Sequence, residues 1–204
     1  MSRIQPLRAP YPTAVRQRME SLLPPGMAAP ELFRTVARNE GLFVHLVDSG
    51  WLGPTGLLDR RVLPRQLREL LILRTCVAAR NDYEWQLHVT TIAAAMGLSY
   101  PQIDDTRSPV PDASLWAPAE LAAMALVDAL VPGLDVGDAL FARLREHFDE
   151  PTLIEMTQIV GLYAGVAMLV ALARPDADRY ERPRAMDKVK QADRPDSVRG
   201  VSAA

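Results

Sequence analysis

A glutamate and a histidine one helical turn apart are the residues of this chain best suited to chemistry. Glu84 and His88 stand four positions apart in the segment NDYEWQLHV, so on a helix their side chains project from one face. A carboxylate in that position accepts a hydrogen bond from one imidazole nitrogen and raises the basicity of the other. Such an imidazole is suited to general acid or base catalysis near neutral pH. The spacing therefore predicts a proton-transfer site at His88.

The same residues also have a purely structural interpretation. Asn81 stands three residues before Glu84, which is the spacing of a capping box with Asn in place of Ser or Thr. The flanks of the pair are strongly apolar, and a helix that is apolar nearly all round is buried. Glu84 would then satisfy the helix N-terminus, and His88 would be a hydrogen-bonded core residue. The pattern alone leaves both interpretations open.

Other residues are candidates for the surroundings of this site. Glu69 lies in an apolar run of the preceding predicted helix, where its simplest interpretation is a solvated charge beside Arg65 or Arg68. Guanidinium groups bind carboxylates through two parallel hydrogen bonds, although arginines on a helix flank are usually solvated. The candidate substrate-binding residues are Arg74, Arg80, Tyr83, Trp85 and His45.

Helices must position these residues, because no segment keeps a strand-like period of two for long. Proline and glycine punctuate the chain and mark the ends of the helical segments. We therefore predict an all-α chain with a loose arm and short helix over 1–29, a main domain over 30–174, and a flexible charged tail over 175–204. The predicted helices span 13–23, 30–49, 64–79, 82–96, 100–104, 118–130, 136–148 and 151–173.

Composition narrows the classes of function. The formal net charge of −2 implies no bulk attraction to nucleic acid or to an anionic membrane. The single cysteine, Cys76, cannot form an internal disulfide, and the N-terminus has no apolar signal segment. The longest apolar run, 159–173, is shorter than the roughly 20 residues of a membrane span, so a buried central helix is the better interpretation. We expect a cytoplasmic protein.

The segment LRELLILRTCVAARNDYEWQLHVTTIAAAMGLS resembles the core motif of the carboxymuconolactone decarboxylase and alkylhydroperoxidase D-like superfamily. The matching pieces are RELLILR, YEWQLH and AAAMGLS, and the similar long C-terminal helix extends the resemblance over 30–173. The resemblance implies a compact all-α fold of six to eight helices that assembles into homo-oligomers: dimers, trimers or hexamers.

The peroxidase branch of that superfamily carries a Glu, a Cys-x-x-Cys pair and a His. Laid onto this chain, the Glu falls on Glu69 and the His on His88, while the cysteine positions are occupied by Asn81 and Glu84. Thiol–disulfide exchange requires sulfur nucleophiles, so the resemblance does not extend to dithiol peroxidase chemistry. Cys76 lies outside the motif, and we interpret it as a buried, inert thiol.

The decarboxylase branch implies a lyase of aromatic catabolism that acts on a carboxylated lactone. That reaction needs no metal or organic cofactor, because the conjugated carbonyl of the substrate accepts the electrons as carbon dioxide leaves. By this resemblance His88 is the acid, Glu84 orients it, and Glu69 tunes it or relays the proton. The alternatives are a non-catalytic oligomeric or ligand-binding protein and a metal site formed by Glu69, Glu84 and His88.

Overall fold

The structure is a computed structural model that describes residues 2–52, 62–178 and 180. Within these residues the chain forms α-helices and one short 3₁₀ helix, Ala93–Met96, without any strand, which confirms the all-α prediction. The helices are α1 (Thr13–Leu22), α2 (Glu31–Val36), α3 (Glu40–Asp48), α4 (Arg65–Ala78), α5 (Asp82–Thr91), α6 (Tyr100–Asp105), α7 (Pro118–Gly133), α8 (Asp138–Arg145) and α9 (Glu150–Ala173).

The central element of the main core is α4. It packs against α7 on one side and α9 on another, and α5 follows it across a short turn. Ten consecutive residues of α4, from Leu67 to Cys76, are buried in consequence. The interpretation of Glu69 as a solvated charge is therefore wrong, since its side chain is 1% exposed on a helix that is covered on all sides.

A second, smaller cluster joins the N-terminal helices. Val15 and Met19 of α1 pack with Ala37 and with Phe43 of α3. The predicted boundary between residues 29 and 30 falls inside this cluster. The predicted helix over 30–49 is wrong as one element, because Asn39 accepts a hydrogen bond from the backbone N–H of Leu42 and begins a new helix there. This break gives nine α-helices in the described residues where six to eight were expected.

The helix that carries His88 ends earlier than predicted. It stops at Thr91, Ile92 leaves the helical conformation, and the 3₁₀ helix continues to Met96. Gly97 then adopts a left-handed φ of 104°, and the buried Leu98 follows it, which is the arrangement of a glycine C-cap. The change of helix type leaves His88 in the last turn of α5.

The last helix, α9, carries apolar residues on two opposite faces. One face carries Met156, Ile159 and Tyr163 into the core. The opposite face is exposed, so the predicted buried central helix is buried on one face only. By length and composition alone α9 also satisfies the criteria for a membrane span.

The first part of the predicted flexible tail contacts the rest of the chain. Asp178 accepts hydrogen bonds from the backbone N–H of Glu31, at 3.0 Å, and from the hydroxyl of Tyr83. The hydroxyl of Tyr180 donates to the carbonyl of Ala28 at 3.2 Å. These bonds join the start of the tail to both the N-terminal cluster and α5. The remainder of the predicted tail, 181–204, lies outside the described residues.

Candidate active site

Three helices place four polar side chains together inside the main core. Glu69 comes from the second turn of α4, Glu84 and His88 from α5, and Tyr163 from the middle of α9. All four are buried, with the least covered, Glu84, 7% exposed. Polar groups in such a position must find partners within the protein or with a ligand, because burial without hydrogen bonds is costly.

The imidazole of His88 lies between the two carboxylates. Its Nδ1 is 2.8 Å from Oε1 of Glu69, and its Nε2 is 3.6 Å from Oε1 of Glu84. The hydroxyl of Tyr163 is 3.3 Å from the same Nε2, and the two rings meet edge to face. The structure thus brings the three predicted catalytic residues together, and it places Glu69 rather than Glu84 in the direct hydrogen bond.

The surroundings of His88 favour its charged form. Burial alone lowers the pKa of a histidine, but here the nearby charge of Glu69, the hydrogen bond to Glu69 and the charge of Glu84 outweigh burial and raise the pKa to about 10. At neutral pH both ring nitrogens therefore carry protons. Burial, followed by the charges of Glu84 and Glu69, raises the pKa of the Tyr163 hydroxyl, which keeps its proton.

Two buried polar atoms at the N-terminal end of α5 have no partner within the part of the protein that the structure describes. They are Nδ2 of Asn81 and Oε2 of Glu84. Asn81 caps α5 as predicted, because its Oδ1 accepts from the backbone N–H of Glu84 at 3.2 Å. The reciprocal bond of a capping box is not formed, since the backbone N–H of Asn81 donates to the carbonyl of Cys76 at 2.7 Å. The side chain of Glu84 is thereby left to the site.

The two arginines that the sequence suggested for substrate binding lie in other surroundings. Arg74 is buried and donates to both carboxylate oxygens of Asp128, at 2.7 and 2.6 Å. It also donates to the carbonyls of Thr106 and Ser108. Arg80 is exposed in the turn between α4 and α5, with a φ of 55°. Neither guanidinium contacts His88 among the bonds described.

The other three predicted binding residues also have different partners. The hydroxyl of Tyr83 donates to Asp178 and accepts from the backbone N–H of Leu32. The indole N–H of Trp85 donates to the hydroxyl of Thr106 at 3.1 Å, and Arg107 lies over its ring. His45 is exposed on α3. Their predicted substrate-binding roles gain no support from these positions.

The thiol and the metal alternatives are both weakened by the geometry. Burial, with the charges of Glu84 and Glu69, raises the pKa of the Cys76 thiol, so it is not a ready nucleophile. The carboxylates of Glu69 and Glu84 lie at opposite nitrogens of the His88 ring and do not converge on one point. Among the residues that the structure describes, no cluster of three such side chains is arranged to hold a metal ion.

Sequence reasoning missed Tyr163, although a signal was present. Tyr163 is the only residue of the apolar run 159–173 whose side chain forms hydrogen bonds. A tyrosine in such a run usually directs its hydroxyl to a partner, because burying it alone is unfavourable. Nothing in the local sequence identified that partner as a histidine 75 residues earlier.

Two surface cavities lie away from this cluster. The first, of about 690 Å³, lies between α1 and the loop that follows it. The second, of about 360 Å³, lies among α7, α8 and α9, with Phe141, Leu144 and Ile154 in its wall. We call this second cavity the α8 groove. Neither cavity includes a residue of the His88 cluster in its lining.

Comparisons with known proteins agree with this architecture. The sequence model of the Carboxymuconolactone decarboxylase family matches residues 54–129, which include α4 and α5. The apo structure of debrominase Bmp8 is similar with a TM-score of 0.68 at 21% identity, covering 92% of this chain and 97% of that one.

A cysteine-to-alanine variant of Bmp8 in complex with 2,3,4-tribromopyrrole is similar with a TM-score of 0.66 at 18% identity, covering 93% and 98%. At this identity the similarity concerns the fold. A comparison with curated proteins found no match. Residues 54–129 thus match the model of the carboxymuconolactone decarboxylase family, and the described chain shares its helical fold with the two Bmp8 structures.

Proposed function

We propose that this protein is an enzyme, a lyase or isomerase of a small carboxylated or lactone substrate, that uses His88 for proton transfer without a cofactor. One observation carries the proposal. A charged imidazole is held between two carboxylates, and one of them, Glu84, has an oxygen that the protein leaves without a partner. Nδ2 of Asn81, the N-cap of the same helix, is also buried without a partner. A purely structural ion cluster would be expected to use all of its hydrogen-bonding groups.

His88 is suited to the role of general acid. Its pKa of about 10 keeps the ring protonated at neutral pH, so a proton is available at Nε2 when a carbanion forms beside it. The hydrogen bond from Nδ1 to Glu69 fixes the orientation of the ring, and the negative charge of Glu69 stabilises the imidazolium. Glu69 and Glu84 thus exchange the roles that the sequence pattern suggested for them.

The two unpartnered atoms indicate what the substrate presents. Nδ2 of Asn81, the N-cap of α5, offers a hydrogen-bond donor, and Oε2 of Glu84, in the first turn of α5, offers an acceptor. A lactone or ketone carbonyl fits the donor, and the interaction strengthens as that oxygen gains negative charge. A hydroxyl or N–H group of the substrate fits Glu84.

The reaction that these groups support is a decarboxylation or the shift of a proton. In the decarboxylation, the bond from carbon to the carboxylate breaks and its electron pair moves into the conjugated carbonyl, giving an enolate and carbon dioxide. The enolate oxygen accepts from Asn81. The carbon then takes the proton from Nε2 of His88, and the imidazole regains a proton from solvent.

A non-catalytic, ligand-binding or structural role is the second candidate, and a specific observation favours it. His88 is only 5% exposed, and the two cavities described lie elsewhere. Access to His88 requires movement of a neighbouring helix or loop. In this alternative the cluster contributes to folding, and no substrate reaches it.

A proton-transfer assay separates the two candidates. The protein is incubated in D₂O with a carboxylated muconolactone and with simple β-keto acids, and NMR follows the release of carbon dioxide and deuterium incorporation at carbon. General acid catalysis contributes about 100- to 10,000-fold, so His88→Gln should lose at least about 100-fold in turnover while remaining folded.

The control is His147→Gln, a change at an exposed histidine just after α8 that leaves the cluster intact. It should retain full turnover. A His88→Gln protein that is less stable but equally active per folded molecule would contradict the proposed role of His88. The absence of turnover in the wild-type protein with every substrate of the panel would favour the non-catalytic candidate.

A further inference from the structure

The outer face of α9 is an exposed apolar stripe. Ile154, Met168 and Leu172 are 64%, 73% and 60% exposed on it. Gln158, Gly161 and Gly165 complete the stripe, which repeats with alternating spacings of four and three residues. That spacing keeps six residues on one side of the helix, as in the seam of a coiled coil. Apolar side chains exposed in such a continuous row indicate an interaction surface.

The two glycines of the stripe are not explained by packing within the chain. A Cβ added at Gly161 or at Gly165 would meet no atom within 4 Å. A glycine inside a helix makes the helix less stable than an alanine would. Because neither glycine makes room for another part of the chain, packing within one copy gives no reason for this loss. Glycine on an exposed helix face is useful where another backbone approaches closely.

The stripe is symmetric about the level of Tyr163. Gly161 and Gly165 each lie two residues from Tyr163 along the chain. Gln158 and Met168 each lie five residues from it, and Ile154 and Leu172 each lie nine residues from it. Each pair consists of residues of similar size. Two copies of α9 laid antiparallel therefore place Gly161 against Gly165, Gln158 against Met168 and Ile154 against Leu172. We propose that the chain forms a two-fold homodimer through antiparallel packing of the outer faces of α9.

The α8 groove supports this arrangement. It lies at the Ile154 end of the stripe, and Ile154, Thr157 and Gln158 form part of its wall. In the antiparallel dimer the partner's Leu172 reaches this end of the helix, where the groove can receive its side chain. The same contact occurs twice in a two-fold dimer, because the surface that offers the leucine also offers the groove.

A lipid bilayer is the other occupant that an apolar stripe suggests. The helix carries no charged residue between Glu155 and Arg174, and it is long enough to span. Gly161 and Gly165 have the G-x-x-x-G spacing that lets helices approach closely inside a bilayer as well as in water, so the glycines do not separate the two occupants. A bilayer, however, does not account for paired residues at equal distances from one centre. We therefore commit to a second copy as the occupant and make membrane binding an outcome of the test.

The first experiment measures the mass of the full chain in solution by light scattering and sedimentation. The wild-type protein is expected at twice the chain mass of 22.5 kDa. Gly161→Leu and Gly165→Leu should each convert the dimer to a monomer. The added leucine side chain contacts no atom of its own chain but prevents the α9 helix of the second copy from approaching. Both variants should melt, by circular dichroism, at a temperature no lower than that of wild-type protein diluted until it is monomeric. This result would show that the substitutions affect association and not folding.

Matched controls isolate the surface. Gly133→Leu adds the same side chain at another glycine with open space, at the end of α7, and should remain dimeric. Met168→Glu should dissociate the dimer, whereas Val110→Glu changes an equally exposed apolar residue, 79% exposed, in a loop and should not.

Cross-linking tests the direction of packing. Gln158→Cys combined with Met168→Cys brings the new thiols together only in the antiparallel dimer, and it should give a covalent dimer on mild oxidation. Met168→Cys alone should not, because the two copies of residue 168 are roughly 15 Å apart along the helices. A parallel pair would give the opposite result for the single variant.

The possible outcomes all decide the proposal. A wild-type monomer at tens of micromolar would overturn it, as would an oligomer that survives both glycine substitutions. Binding of the wild-type monomer to phosphatidylcholine vesicles, lost in Met168→Glu, would also overturn it and assign the stripe to a membrane. Loss of the dimer in the stripe variants alone, with the cross-link pattern above, would establish it.

Discussion

Two buried charge clusters lie on the same helix, α4, and they differ in how completely they are satisfied. Arg74 gives hydrogen bonds to both oxygens of Asp128 and to two backbone carbonyls. Glu69 begins a cluster with His88 and Glu84 in which Oε2 of Glu84 has no protein partner, and Nδ2 of the adjoining N-cap residue Asn81 has none either. Both clusters are ionic, but only the second has capacity left for a ligand.

This difference separates a structural ion pair from a candidate site better than burial or charge does. The bidentate geometry of Arg74 and Asp128 ties α4 to α7, and its additional bonds hold the segment that follows α6. Removing one partner of such a pair is destabilising, because the other charged group is left without compensation. Removing a group from the His88 cluster should instead affect proton chemistry more than folding. The predictions below test this division.

The largest effect on folding is expected for Arg74→Met. The substitution keeps most of the side-chain volume but leaves two carbonyls and Asp128 without their donor. Asp128 is 40% exposed and regains water, so we expect a loss of about 3 kcal/mol in the free energy of unfolding, at the low end for a broken buried pair.

Urea unfolding measures that loss, and imidazole NMR should find the pKa of His88 unchanged. Asp135→Asn, a charge change outside the pair in the segment between α7 and α8, is the control and should be neutral. An Arg74→Met protein that is as stable as the wild type but has an altered pKa of His88 would contradict the assignment of Arg74 to folding and of His88 to proton chemistry.

The second prediction concerns pH. The pKa of His88 is raised from 6.5 to about 10 on folding, so its contribution to stability is complete below pH 6.5 and is lost as pH rises toward 10. Between pH 6.5 and 8.5 this loss should reach about 2 kcal/mol.

Urea unfolding across this range measures the loss, and His88→Gln should flatten the slope. The range stays below pH 9.0, the ordinary pKa of a cysteine, so the buried Cys76 contributes little. An equal slope in both proteins would show that His88 is neutral in the folded state and would contradict its role as an acid.

The sequence predicted the parts of the site that depend on local spacing. Glu84 and His88 meet because they are one turn apart, and the family motif placed Glu69 with them. The sequence did not predict which carboxylate forms the direct bond, because that depends on how α4 crosses α5. Tyr163 and the pairing of Arg74 with Asp128 depend on packing between helices distant in the chain. The break at Asn39 was missed because apolar spacing continues across it.

The third prediction compares the two carboxylates. Glu69→Gln removes the charge that is hydrogen-bonded to His88, whereas Glu84→Gln removes one at 3.6 Å that already has an unpartnered oxygen. We expect Glu69→Gln to lower the pKa of His88 further and to cost about 1–2 kcal/mol of stability. Glu84→Gln should cost less than about 1 kcal/mol.

Imidazole NMR and urea unfolding on both variants provide the measurement. The order is the reverse of the one that helix spacing alone suggested, in which Glu84 orients the ring. A larger fall of the pKa in Glu84→Gln would restore that earlier order. It would also indicate that the ring turns in solution toward its own helix.

The smallest effect is expected for Tyr163→Phe. The hydroxyl lies 3.3 Å from Nε2 of His88, a long hydrogen bond, and the edge-to-face contact of the rings survives in phenylalanine. The stability should therefore change by less than about 1 kcal/mol, and the pKa of His88 should scarcely move because the hydroxyl carries no charge.

Turnover is the sharper measurement, since Nε2 is the atom proposed to deliver the proton. If Tyr163 holds that proton in line with the substrate, turnover falls severalfold with stability intact. If turnover and stability both remain at the wild-type level, Tyr163 serves only to cover His88, and Asn81 and Glu84 alone would define where the substrate lies.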